Sequence, residues 1–125
     1  MTQAHNPVGW FEIPVTDMDR AKSFYQAMLG CTFDDLPMGQ VEMALFPMQQ
    51  DAIGSSGALV KGAGYAPSAE GLLIYFTAPD LDNVIQRCRD NGGTVVQNRT
   101  SIGEHGFIAY IQDTEGNRIG LHTNH

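Results

Sequence analysis

The stretch Phe11–Gly30 reads FEIPVTDMDRAKSFYQAMLG and carries two periods in succession. Phe11, Ile13 and Val15 alternate with Glu12 and Pro14, and Trp10 extends the second row backward. Period two predicts a strand, Val8 to Val15, with two unlike faces. The row of Phe11, Ile13 and Val15 is apolar and should pack on a helix. The row of Trp10 and Glu12 looks elsewhere, and Pro14, which has no N–H to give, marks a sheet edge or a strand end. Asp17 then offers an N-cap and Asp19 a negative charge in the first helical turn. Ala21, Phe24, Tyr25, Met28 and Leu29 follow at helical spacing, and Gly30 ends the helix.

Working outward, Cys31–Phe33 predicts the start of a second strand and Val41–Phe46 a third, with Val41, Met43 and Leu45 on one face and Glu42, Ala44 and Phe46 on the other. Residues 48–70 are rich in Gly, Ala and Ser and read as a connection, with a short strand at Gly57–Lys61. Leu72–Thr77 is an apolar strand, and a helix starting at Pro79-Asp80 carries Leu81, Val84, Ile85 and Cys88 on one face and stops at Gly92-Gly93. Strands follow at Thr94–Gln97, Gly106–Gln112 and Arg118–Thr123, the last two joined by a polar turn, Asp113–Asn117.

The order of elements repeats. A shift of 63 residues lays Asp17 on Asp80, Gly30 on Gly93, Phe11 on Ile74 and Gly57 on Gly120. This predicts an α+β fold of two tandem βαβββ modules in a single domain over residues 1–125. Module 1 spans residues 8–61 and module 2 residues 71–123. A sixty-residue module with one helix covers one face of its sheet and leaves the other bare. The bare faces predict an enclosed ligand cavity.

Seven Lys and Arg stand against fourteen Asp and Glu in 125 residues, a net charge of −7. No basic stripe exists for nucleic acid, and an anionic membrane surface would repel the chain. The longest uncharged apolar run, Gly71–Pro79, is too short to span a bilayer. The first seven residues lack the regions of a signal peptide, and Cys31 and Cys88 form no metal-ligand spacing. A cytosolic protein with reduced thiols is expected.

The Phe11–Tyr25 stretch, the Leu29-Gly30 stop and the tail FIAYIQDTEGNRIGLH (Phe107–His122) together resemble the vicinal oxygen chelate superfamily. That superfamily includes glyoxalase I, bleomycin-resistance proteins, fosfomycin-resistance enzymes and extradiol dioxygenases. The resemblance implies paired modules around a cupped site, a homodimer, a small-molecule ligand and a divalent metal held by His, Glu or Gln on the first and last strands of each module. Those ligand positions fall here on Trp10, Leu73, Gly120 and close to Gly57, none of which suits a hard cation.

Glu12 and His122 each lie two residues beyond such a position and so keep the same face. A carboxylate and an imidazole suit either a displaced metal site, with His105 and Glu104 as the only further donors, or a general base and its orienting partner. Each residue also has a plainer reading. Glu12 could pair with Arg118, His122 could be structural, His105 could be a solvated loop residue, and His5 and His125 are chain ends. Trp10 reads as a stacking wall or as core. Tyr75 takes the place of Glu12 in the repeat, so its hydroxyl should face the same space. Met38, Met43 and Met48 could form an adaptable apolar pocket or ordinary filler.

Three functional readings stay open. One is a glyoxalase-like protein, of lyase, isomerase or dioxygenase type, acting on a small oxygen-rich molecule with catalytic Glu12 and His122 and with Trp10, Tyr75 and His105 around the substrate. The second is a non-catalytic protein that sequesters a drug, for which the net negative charge suits a cationic compound. The third is an accessory module working beside a partner chain. No cofactor is certain, although a divalent metal stays compatible with the first reading.

Overall fold

The computed structural model describes residues 6–125, so His5 lies outside the described residues. The first module runs β1 (Phe11–Pro14), α1 (Met18–Leu29), β2 (Asp34–Met38), β3 (Val41–Leu45) and β4 (Gly57–Lys61). The second runs β5 (Ile74–Thr77), α2 (Leu81–Asp90), β6 (Thr94–Ser101), β7 (Phe107–Gln112) and β8 (Arg118–Thr123), with a short 3-10 turn at Gly103–His105. Each forms a four-stranded mixed sheet, in the order β1-β4-β3-β2 and β5-β8-β7-β6. The fold is α+β, built of two βαβββ units.

Period two sets the faces as the sequence predicts. Ile13 and Val15 are buried with Phe24, Tyr25 and Met28 of α1, while Glu12 is exposed. Asp17 caps α1 by accepting from the Arg20 N–H, and Gly30 ends it in the left-handed conformation that glycine adopts without strain. α2 buries Leu81, Val84, Ile85 and Cys88, and one continuous core joins both helices to one face of each sheet. Pro14 sits on edge strand β1, where the missing N–H costs no ladder bond.

Four expectations are corrected. Residues 8–10 lie outside β1, because the register with β4 begins at Phe11 opposite Gly57. Cys31–Phe33 is not a strand. β2 begins at Asp34 opposite Leu45 and reads DDLPM, an exposed edge with no alternating pattern to betray it. β6 continues to Ser101 through two register shifts against β7. Leu72 and Leu73 lie outside β5, whose register with β8 begins at Ile74 opposite Ile119. α2 ends at Asp90, and of the two glycines expected to stop it Gly92 takes the left-handed conformation.

The repeat also slips by one residue at its last strand. Phe11 pairs with Gly57, whereas its counterpart Ile74 pairs with Ile119. Gly57 therefore corresponds to Ile119, and Ala58, not Gly57, stands where Gly120 stands in the second sheet.

The turn Asp113–Asn117 is no solvated loop. Asp113, Glu115 and Asn117 are buried and join the modules. Glu115 accepts from the backbone N–H groups of Thr16 and Asp17 and from the Arg20 guanidinium at 2.7 Å. Asn117 donates to the Pro14 carbonyl, and the Tyr25 hydroxyl donates to Asp113 at 2.6 Å. Burial pushes the Glu115 carboxyl up, but the bonds from Arg20, Asp17, Thr16 and Thr114 outweigh it and hold the group at about 2.

Candidate functional site

The helix-free face of the second sheet carries the arrangement richest in chemistry. In the parallel β5–β8 register Tyr75 stands beside Gly120 and Thr77 beside His122. On the other side of β8, Tyr110 faces Gly120 and Ile108 faces His122. Two rows result: Tyr75, Gly120 and Tyr110, then Thr77, His122 and Ile108. Tyr75, Tyr110, Thr77, His122 and Ile108, together with Ile102, line a cavity of about 540 Å³.

Gly120 makes the first row possible. A Cβ at that position would lie 2.5 Å from Cδ2 of Tyr75, so the tyrosine ring occupies the space above the glycine. From there the Tyr75 hydroxyl reaches that of Tyr110 at 2.7 Å, and the rings meet edge to face with centroids 5.9 Å apart. The hydrogen bond with Tyr110, helped by slight burial, raises the pKa of Tyr75 above the ordinary phenol value. The Arg118 guanidinium lies 4.6 Å from the centre of the Tyr110 ring, a cation–π contact.

In the second row, Nε2 of His122 donates to the His105 carbonyl oxygen at 2.8 Å. A carbonyl only accepts, so Nε2 carries a proton and Nδ1 is the nitrogen this bond leaves over. The 3-10 turn Gly103–His105 supplies that carbonyl from its main chain.

The structure thus brings His122 and Tyr75 into one cavity and sets His105 against His122. It does not bring Glu12 into that group. Glu12 lines a separate cavity of about 260 Å³ with Pro14, Arg118 and the connection residues Ser68, Glu70 and Leu72. Glu12 and Arg118 share this cavity without a salt bridge, because the guanidinium is laid over Tyr110. Trp10 stands just ahead of β1, 40% exposed. Trp10, Gly57, Leu73 and Gly120 carry no side-chain oxygen, sulfur or imidazole nitrogen, and the Trp10 indole N–H only donates. No group of three or more His, Cys, Asp or Glu side chains that could hold a metal occurs among the described residues.

Sequence reading passed over Tyr110 and Thr77. The alternation of Ile108 and Tyr110 with Ala109 and Ile111 held the signal for Tyr110. The pairing of its hydroxyl across β8 had none, since it depends on a glycine between two strands 35 residues apart.

The model of the Glyoxalase/Bleomycin resistance protein/Dioxygenase superfamily matches residues 8–121, and the chain belongs to that superfamily. It is similar to a putative glyoxylase, CFP32, of Mycobacterium tuberculosis (strain CDC 1551 / Oshkosh), 28% identical over 90% of this chain and 43% of that protein. The chain therefore spans less than half the length of this relative. A glyoxylase-like domain-containing protein of Didymella fabae is 30% identical over 95% of this chain and 94% of its own. Among solved structures, TnmS3, an antibiotic binding protein from Streptomyces sp. CB03234, is 25% identical, with a TM-score of 0.68 over 100% of this chain and 99% of that one.

Proposed function

We propose that this protein binds a planar, oxygen-bearing small molecule on the helix-free face of its second sheet, without a metal, and sequesters it. The observation that carries this reading is the Tyr75 ring seated over Gly120. The position where the superfamily places a ligand on its last strand is here an aromatic surface with two linked hydroxyls. Tyr75 and Tyr110 supply ring edges and a hydroxyl donor, Thr77 a second hydroxyl, His122 an acceptor at Nδ1, and Ile102 and Ile108 apolar walls. Glu12 lines the separate cavity beside Arg118 and takes no part, and Trp10 is not among the residues lining this one. The likeness to TnmS3, described as an antibiotic binding protein, supports a binding role.

A homodimer belongs to the same proposal. The helix-free face of the first sheet exposes Leu36 and Met38, at 40% and 56%, and Trp10 lies beyond its edge. A second copy would cover that apolar face and close the cavity. The free thiols Cys31 and Cys88 suit a cytosolic setting.

A catalytic reading has one observation in its favour. The fixed Nε2–H of His122 leaves Nδ1 free to take a proton, as a general base must. Calorimetric titration with planar aromatic quinones and catechols, with and without chelator, separates the readings. Sequestration predicts stoichiometric binding that survives chelation, is weakened by Tyr110→Phe and His122→Ala, and returns the compound unchanged. Copurifying stoichiometric divalent metal, or turnover abolished by chelator, would overturn it.

A further inference from the structure

The two modules use their last hairpins differently. In the second, the β7–β8 turn lies against edge strand β1 and fills the space there, with Asn117 bonded to Pro14 and Glu115 to Thr16 and Asp17. In the first, the β3–β4 connection lies toward edge strand β5 and does not fill the space. A cavity of about 560 Å³ remains, bordered by the end of α1, by this connection and by β5.

Its lining has a definite chemistry. Phe11, Phe46 and Phe76 supply rings, with Phe11–Phe46 centroids 5.5 Å and Phe46–Phe76 centroids 5.6 Å apart. Leu73 to Thr77 line the cavity without a break. Strand side chains alternate between faces, so an unbroken run borders one cavity only along the strand's edge. β5 pairs with β8 on its other side, so its outward N–H and C=O groups face this space. Ser55 and the Cys31 thiol add neutral polar atoms, and none of the described lining residues is charged. An ion would lose its hydration there with no counter-charge in return.

We infer that this cavity is a second ligand site, for an uncharged aromatic molecule with one hydrogen-bonding edge, such as an amide or a hydroxyl. The rings would hold the body of the molecule and the β5 backbone its polar edge. Tyr75 and Thr77 border both cavities, whereas Tyr110, Ile108 and His122 line only the other, so a change at His122 tells the two sites apart.

The test uses the full chain and N-phenyl-1-naphthylamine, an uncharged aromatic amine whose fluorescence rises in apolar surroundings. Wild type should show a saturable rise. Ser55→Trp, which fills the cavity, and Leu73→Glu, which puts a charge in it, should each weaken binding by about tenfold or more. His122→Ala should leave it unchanged. On wild type the bound probe should slow modification of Cys31 by N-ethylmaleimide, a readout that no variant's folding can confuse. Absence of a saturable rise, unslowed labelling of Cys31, or loss of binding in His122→Ala with retention in the other two variants would overturn the inference.

Discussion

The hydroxyls of Tyr75 and Tyr110 meet 2.7 Å apart above Gly120 and tie together the two strands that flank β8. The contact exists only because residue 120 has no side chain. Ala58, the corresponding residue of the first sheet, has Glu12 and not an aromatic beside it, so the first module has no such clasp.

Gly120→Ala should therefore act through Tyr75. The new methyl would sit 2.5 Å from the ring and would have to displace it. A loss of about 1–3 kcal/mol in urea unfolding is expected, the usual cost of overpacking. Tyr75→Phe combined with Gly120→Ala should lose little more than Gly120→Ala alone, because the hydroxyl pair is already broken. Equal, additive losses in a double-mutant cycle would contradict this account.

Ultraviolet titration of the tyrosines reads the same clasp. Tyr75 ionises above the ordinary phenol value because of its bond with Tyr110, and buried Tyr25 ionises well above it. Tyr110→Phe should return Tyr75 toward ordinary behaviour and leave Tyr25 delayed. An unchanged curve for the remaining phenols would show that the hydroxyls do not share a bond in solution.

Glu115 sets an acid limit on stability. Its pKa falls from 4.5 to about 2 on folding, so the unfolded chain binds a proton more readily than the folded one. Its contribution is complete above about pH 4.5 and is lost as the pH falls toward 2. Glu115→Ala should lower stability at neutral pH by about 2–3 kcal/mol, since it leaves the Thr16 and Asp17 N–H groups and Arg20 without their acceptor. The variant should also show a flatter stability profile between pH 5 and pH 2. A profile as steep as wild type would place the acid sensitivity elsewhere.

The exposed apolar residues of the first sheet predict self-association. Leu36→Asp with Met38→Asp should convert a dimer to a monomer in sedimentation experiments, with the fold retained by circular dichroism. A wild-type chain that sediments as a monomer at high concentration would remove the proposed dimer.

Much of the fold was legible because its signals are local. Asp17 as a cap, Gly30 as a stop, and the strand faces of Phe11–Val15 and Arg118–Thr123 each follow from residues within one turn or one pleat. The strand DDLPM was missed for the opposite reason. It is a strand because β3 pairs with it, and its own residues record nothing of that partner. The one-residue slip that puts Ala58 opposite Gly120 in the repeat is likewise a matter of register between strands.

The sequence alone determined that the chain is two βαβββ units of one superfamily and that it is acidic. Only the tertiary structure decided that Glu12 and His122 line different cavities, that Tyr110 joins Tyr75, and that the polar turn Asp113–Asn117 is a buried joint reaching residues as far as 103 positions away. The physical reason is range. Periodicity, capping and charge act between near neighbours, whereas the meeting of two hydroxyls or the pairing of a buried carboxylate depends on which strands the whole chain sets side by side.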